Sequence, residues 1–158
     1  MSEAVEPAMA TQQPAQSNAI RCVLGMLGSD VHTKGIRTVA SMLRSAGIDV
    51  VFAGEHLTID QMVASVREAD PAFVGLSFST AGYLVYMQQF TDAMKAAGLG
   101  EVSIMVGGLV HPDDEAALRA MGVDGLFGPG TTTPQIVSWL ERVAAEKTFK
   151  DTAGRGLS

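Results

Sequence analysis

The 158-residue chain has the length of one domain, enough to bury about 68–70% of its unfolded surface without help from a disulfide or a structural metal. Its net charge of −6, from 11 Lys+Arg against 17 Asp+Glu with no basic cluster, argues against a nucleic-acid partner, because such binding rests on neutralising phosphates. The single cysteine, Cys22, excludes an intrachain disulfide and a cysteine-built zinc site, and its place in an apolar run reads as a small buried hydrophobe in a reducing compartment.

Residues 1–19, rich in Ala, Gln, Pro, Ser and Glu with no apolar periodicity, read as a disordered tail before one domain over 20–146, with a second tail over 147–158. No run approaches the roughly 18 apolar residues that would span a bilayer, so no membrane partner is expected and the expected compartment is the cytoplasm. Ile20 to Leu27 is a β-prone run ending at Gly28, and Ile36, Val39, Ala40 and Leu43 then recur at helical spacing up to a stop at Gly47. Ile48 to Ala53 resumes the strand pattern until Gly54. Thr58 with Gln61 forms a capping-box signature ahead of the stripe Ile59, Met62, Val63 and Val66. Ala72 to Leu76 has the continuous apolar character of a parallel strand covered on both faces, with Ser77 to Gly82 as its exit loop.

Leu84, Met87, Phe90 and Met94 make a third helical stripe ending near Gly98. Val102 to Val106 is a fourth strand ending at Gly107-Gly108, and Pro112 with Asp113, Asp114 and Glu115 opens a fourth helix, where negative charge suits the N-terminal dipole and the carboxylates read as structural. Val123 to Phe127 is a fifth strand, followed by Gly128-Pro129-Gly130-Thr131. Thr133-Pro134 then starts a last helix, with Ile136, Val137, Leu140 and Val143 facing inward and Trp139 packing alongside. Five strands alternating with five helices predict an α/β domain, a flavodoxin-like doubly wound parallel sheet of order 2-1-3-4-5.

In such a sheet every strand-to-helix loop lies at the carboxyl edge, where ligands bind. Asp30-Val31-His32-Thr33-Lys34-Gly35 follows the first strand and sets a carboxylate two residues from an imidazole. That pair suits a metal ligand whose second ring N–H is held by an acceptor, although Asp30 also fits a simple helix cap. Ser77 and Ser79, Gly107-Gly108 and Gly128 to Thr131 fall on the same rim, where glycines either admit a bulky ligand or merely close βα turns. The rim lacks the G-x-G-x-x-G of a dinucleotide site, a Walker loop, and the aspartate that a phospho-receiver carries at the end of strand three, where Ser77 stands. His56 and His111 near the rim read as loop histidines.

The hexapeptide Asp30-x-His32-x-x-Gly35, the loop Ser77-Phe78-Ser79, Gly107-Gly108 and the run Phe127-Gly128-Pro129-Gly130-Thr131 together resemble the cobalamin-binding domain of carbon-skeleton mutases, over roughly residues 20–146. The resemblance implies a Rossmann-like cobalamin domain that binds adenosylcobalamin with its nucleotide base displaced. His32 would be the lower axial ligand to cobalt, Asp30 its orienting partner, and Ser29, Val31, Thr33 and Gly35 the rest of that loop. Ser77, Ser79 and Thr131 would lie near the nucleotide tail, and Gly107, Gly108, Phe127, Gly128, Pro129 and Gly130 would form the channel walls.

Two positions depart from the family pattern, Ser79 in place of leucine and Met26 in place of the lysine that acyl-CoA mutases carry six residues before the histidine. The resemblance further implies the cofactor-binding small subunit of an isomerase of methylmalonyl-CoA or 2-hydroxyisobutyryl-CoA mutase type, active only with a large substrate-binding barrel subunit. The readings left beside it are a glutamate-mutase-type small subunit, a corrinoid methyl carrier and a ligand-free interaction module.

Overall fold

Parallel pairing of short apolar segments organises the chain, as seen in a computed structural model that describes residues 20–28, 34–78 and 82–157. The strands are β1 (Arg21–Leu27), β2 (Asp49–Leu57), β3 (Phe73–Phe78), β4 (Ser103–Gly108) and β5 (Gly125–Phe127). They alternate with α1 (Lys34–Ser45), α2 (Ile59–Ala69), α3 (Tyr83–Ala96), α4 (Glu115–Met121) and α5 (Thr133–Leu157). The sheet has the expected order β2-β1-β3-β4-β5 and every pairing is parallel.

Period-two alternation divides the apolar residues of β1, β3 and β4 between two layers. Val23, Val74, Leu76, Ile104 and Val106 pack under α2, α3 and α4, against Met62, Val66, Met87, Phe90 and Leu118. Cys22, Leu24, Phe73 and Met105 pack under α1 and α5, against Ile36, Leu43, Ile136 and Leu140. The helical stripes read from the sequence therefore face the sheet. Met26 is fully buried in the α1/α5 layer. Trp139 packs on the sheet: its ring centroid lies 5.4 Å from both Phe73 and Phe127. A Cβ on Gly125 would stand 2.7 Å from the indole, so the glycine admits the ring.

Several boundaries differ from expectation. β2 runs through Gly54 to Leu57, because pairing with β1 resumes after irregularities that match Gly25 with Gly54 and Leu27 with Leu57. His56 is consequently a strand residue with φ 56°, not a loop histidine. Ser77 and Phe78 belong to β3, where they pair with Gly107 and Gly108, so the exit loop starts later than Ser77. Pro112–Asp114 forms a 3-10 turn ahead of α4. α5 crosses position 146, and Lys147 donates to the carbonyls of Ala72 (3.0 Å) and Glu101 (2.7 Å), tying the helix to the sheet's amino edge beyond the expected domain end. Residues 1–19 lie outside the described residues, and no helix among the described ones is long and apolar enough to cross a membrane.

The capping box forms as read. Gln61 N–H donates to Thr58 Oγ1 at 3.0 Å while Thr58 N–H donates to Gln61 Oε1 at 2.9 Å. Thr58→Ala is expected to lower stability by about 1 kcal/mol in denaturant titrations with an unchanged m-value. Burial pushes the Cys22 thiol up to about 12 from 9.0. The unfolded chain therefore releases this proton first, so the contribution of Cys22 is intact below pH 9 and falls by about 1.4 kcal/mol per pH unit between the two values. Wild type should lose stability more steeply above pH 9 than Cys22→Ala, as measured by denaturant titration across that range.

Candidate functional site

Side-chain volume falls away along the α1/α5 face toward the carboxyl edge. β3 presents Phe73, then Gly75, then Ser77 to that face, and β4 presents Ser103, Met105 and Gly107. At the amino end Phe73 and Trp139 fill the space between sheet and helices. At the carboxyl end an open groove of about 360 Å³ remains between the sheet, α1 and α5. Its floor is Leu24 and Met105, which converge over Gly75, where a Cβ would stand 2.6 Å from Leu24 Cδ2 and 3.0 Å from Met105 Cε. Ile36 and Val39 of α1 and Ile136 of α5 form its flanks, and Leu109, 60% exposed, stands at its mouth.

The structure brings Gly35, Ser77, Gly107, Gly108, Phe127, Gly128, Pro129, Gly130 and Thr131 to this one groove. Ser29, Asp30, Val31, His32, Thr33 and Ser79 lie outside the described residues; the first five occupy the stretch of chain between Gly28 at the end of β1 and Lys34 at the start of α1. Sequence reading missed the apolar lining, Leu24, Ile36, Val39, Met105 and Ile136, because core residues and groove residues carry the same pattern. The available signal was the run of small residues at alternate positions, Gly75 and Ser77 on β3 beside Gly107 on β4.

No charged side chain lines the groove among the described residues, and its polar groups include the hydroxyls of Ser77 and Thr131. Thr131 Oγ1 donates to the Gly128 carbonyl at 2.8 Å, which closes the β5–α5 turn. Thr132 caps α5 through Gln135, whose N–H donates to Thr132 Oγ1 at 3.3 Å while Thr132 N–H donates to Gln135 Oε1 at 2.8 Å. Arg37 on α1 pairs with Glu55 near the end of β2 and lies 5.1 Å over the Phe52 ring, bracing α1 across the sheet's edge. A slot of this kind accepts a flat, largely uncharged group through apolar contact and a few hydroxyl hydrogen bonds.

The acidic trio is structural. Asp114 accepts a hydrogen bond from Tyr83, Glu115 pairs with Arg119 at 3.1 Å, and the Asp113 N–H donates to His111 Nδ1 at 3.1 Å. The described residues hold no cluster of three His, Cys, Asp or Glu side chains that would bind a metal.

Comparison with known proteins follows the same outline. The B12 binding domain family matches residues 20–138. The small subunit of pivalyl-CoA mutase from Xanthobacter autotrophicus is 36% identical over 123 residues, 78% of this chain and 82% of that protein. The small subunit of 2-hydroxyisobutanoyl-CoA mutase from Aquincola tertiaricarbonis is 28% identical over 128 residues, 81% and 94% of the two chains. The large subunit of methylmalonyl-CoA mutase from Streptomyces virginiae is 31% identical over 84% of this chain, which spans 18% of that protein. Among solved structures, a cobalamin-binding protein from Desulfitobacterium hafniense superposes with a TM-score of 0.68 at 25% identity, over 83% of this chain and 66% of that one. A response-regulator receiver domain from Francisella reaches 0.62 at 6% identity, over 81% of this chain and 98% of that one, and so shares the fold alone.

The rim glycines divide by what surrounds them. Gly108 has φ +95° and its absent Cβ would fall on the Phe78 carbonyl oxygen, whereas Gly128 faces open space. Gly108→Ala is expected to cost about 1–3 kcal/mol and Gly128→Ala to be close to neutral, as read by chemical denaturation.

Proposed function

The chain belongs to the B12-binding domain family, and from that premise we propose that it is the cobalamin-binding small subunit of an acyl-CoA mutase, acting together with a large substrate-binding barrel subunit on a branched acyl-CoA. The observation that carries this reading is the gathering of Ser77, Gly107, Gly108 and Phe127 to Thr131 around one uncharged groove that opens on the edge where β1 ends. Its size, apolar floor of Leu24 and Met105, and hydroxyls fit a nucleotide tail, which these residues with Ile136 would hold. The substrate class rests on the two small subunits that match most of this chain, both named for acyl-CoA mutases. Those matches favour it over a glutamate-mutase-type subunit or a corrinoid methyl carrier.

Bound adenosylcobalamin supplies a cobalt–carbon bond weak enough to break homolytically, the starting point of a radical 1,2-rearrangement. In this reading His32 would hold the cofactor's cobalt through an imidazole nitrogen. Asp30 would accept the second ring N–H, which would fix the tautomer and make the coordinating nitrogen more electron-rich. Ser77 and Thr131 offer hydroxyls to polar groups of the tail. Gly107 and Gly128 let the tail approach the backbone, and Ile36, Val39 and Leu109 shield it from water. Ser29, Val31, Thr33 and Gly35 would supply the rest of the loop around the ligand, and Ser79 would lie near the tail. The acyl-CoA pocket belongs to the large subunit, so this chain alone turns over no substrate.

Mixed with adenosylcobalamin, the wild-type chain should give a base-displaced, histidine-ligated absorption spectrum that His32→Ala abolishes. Identical spectra for the two proteins would remove His32 from the site. Asp30→Asn should keep the spectrum and lower affinity by about 10–100-fold, read by titration, as expected when only the partner of a metal-ligating histidine is changed.

A further inference from the structure

Tyr83, at the first position of α3, is 5% exposed, and its hydroxyl is hydrogen-bonded on both sides. It donates to Asp114 Oδ2 and accepts from the His111 N–H at 3.1 Å. Burial, and then the bond to Asp114, raise the phenol above its ordinary range, so it remains a donor throughout the physiological range. Both partners lie in the connection from β4 to α4. That connection is held at its other end by the Leu109 N–H on the Phe78 carbonyl at 2.7 Å, and it is folded on itself by the Asp114 N–H on the His111 carbonyl at 2.9 Å. The Tyr83 ring lies 5.7 Å from Phe78, the last residue of β3. One side chain therefore joins the end of β3, the start of α3 and the segment that begins with groove residues Gly107, Gly108 and Leu109.

We propose that Tyr83 is a positioning residue for the cofactor, its hydroxyl holding the β4–α4 connection, through His111 and Asp114, at the separation that the nucleotide-tail groove requires. This rests on the cobalamin-binding reading above. Without the hydroxyl, the Asp114 carboxylate and the His111 N–H lose the partner that joins them to α3. The wall formed by Gly108 and Leu109 then keeps its hold on Phe78 and loses the one through α3. The consequence would fall on the part of the ligand that enters the groove.

The test compares adenosylcobalamin with adenosylcobinamide, which has the same corrin ring but no nucleotide, in absorbance titrations of the full chain. Tyr83→Phe, which keeps the ring on Phe78, is expected to weaken adenosylcobalamin about 3–10-fold and leave adenosylcobinamide within twofold. Asp114→Asn, which retains an oxygen acceptor, should recover part of the loss seen in Asp114→Ala. The double variant Tyr83→Phe/Asp114→Ala should be no weaker than Asp114→Ala, because both changes break one bond. Equal loss for the two corrinoids would mark Tyr83 as a general stabiliser of the fold and overturn the proposal, as would no loss for either. A wild-type chain that binds neither corrinoid would overturn the cobalamin reading itself, and this inference with it.

Discussion

Loss of side-chain volume along one face of two adjacent strands is the constraint from which the site follows. A parallel sheet covered on both faces is normally filled from end to end, since an empty space between sheet and helix forfeits dispersion contacts and burial. On the α1/α5 face an aromatic cluster fills the space under α5, where Trp139 lies 5.4 Å from both Phe73 and Phe127. Toward the carboxyl edge Gly75, Ser77 and Gly107 withdraw their volume, and the groove between the sheet, α1 and α5 remains there. The opposite face, with Val74, Leu76, Val106, Met87 and Phe90, is packed continuously and supplies the uninterrupted core.

The same separation of roles runs through the rim. Gly108 has no freedom to carry a side chain, because its φ and its contact with the Phe78 carbonyl both exclude one, so it serves the turn. Gly107 and Gly128 line the groove without a left-handed backbone; an added Cβ would meet the Phe127 carbonyl at 3.2 Å at the first and open space at the second. Two adjacent glycines that look equivalent in sequence thus answer different needs. Tyr83, Asp114 and the Arg37–Glu55 pair then hold the elements around the groove by directional contacts, which suit surfaces where apolar packing has been given up.

Architecture alone does not select the ligand, as the superposition of this chain and a receiver domain at a TM-score of 0.62 and 6% identity shows. What separates them lies in a handful of positions: Ser77 within β3, the glycines after β4 and β5, and the Asp30–His32 loop after β1. These are the residues on which the resemblance rests, while the family match runs over residues 20–138 as a whole.

Periodicity made the strands, the helices, the Thr58–Gln61 cap and the sheet order legible, because each depends on local spacing and on which faces must be buried. The rim set, Gly35, Ser77, Gly107, Gly108 and Phe127 to Thr131, was legible for a related reason: parallel topology sends every strand-to-helix loop to one edge. Only the tertiary structure decided that β2 continues past Gly54 and that β3 includes Ser77 and Phe78, since a strand ends where its partner stops pairing and not where its own composition changes. It alone also decided that Leu24, Met105 and Ile136 line a groove while Leu43 and Leu140 fill a core, because identical side chains become lining or filling according to the volume left by residues distant in sequence.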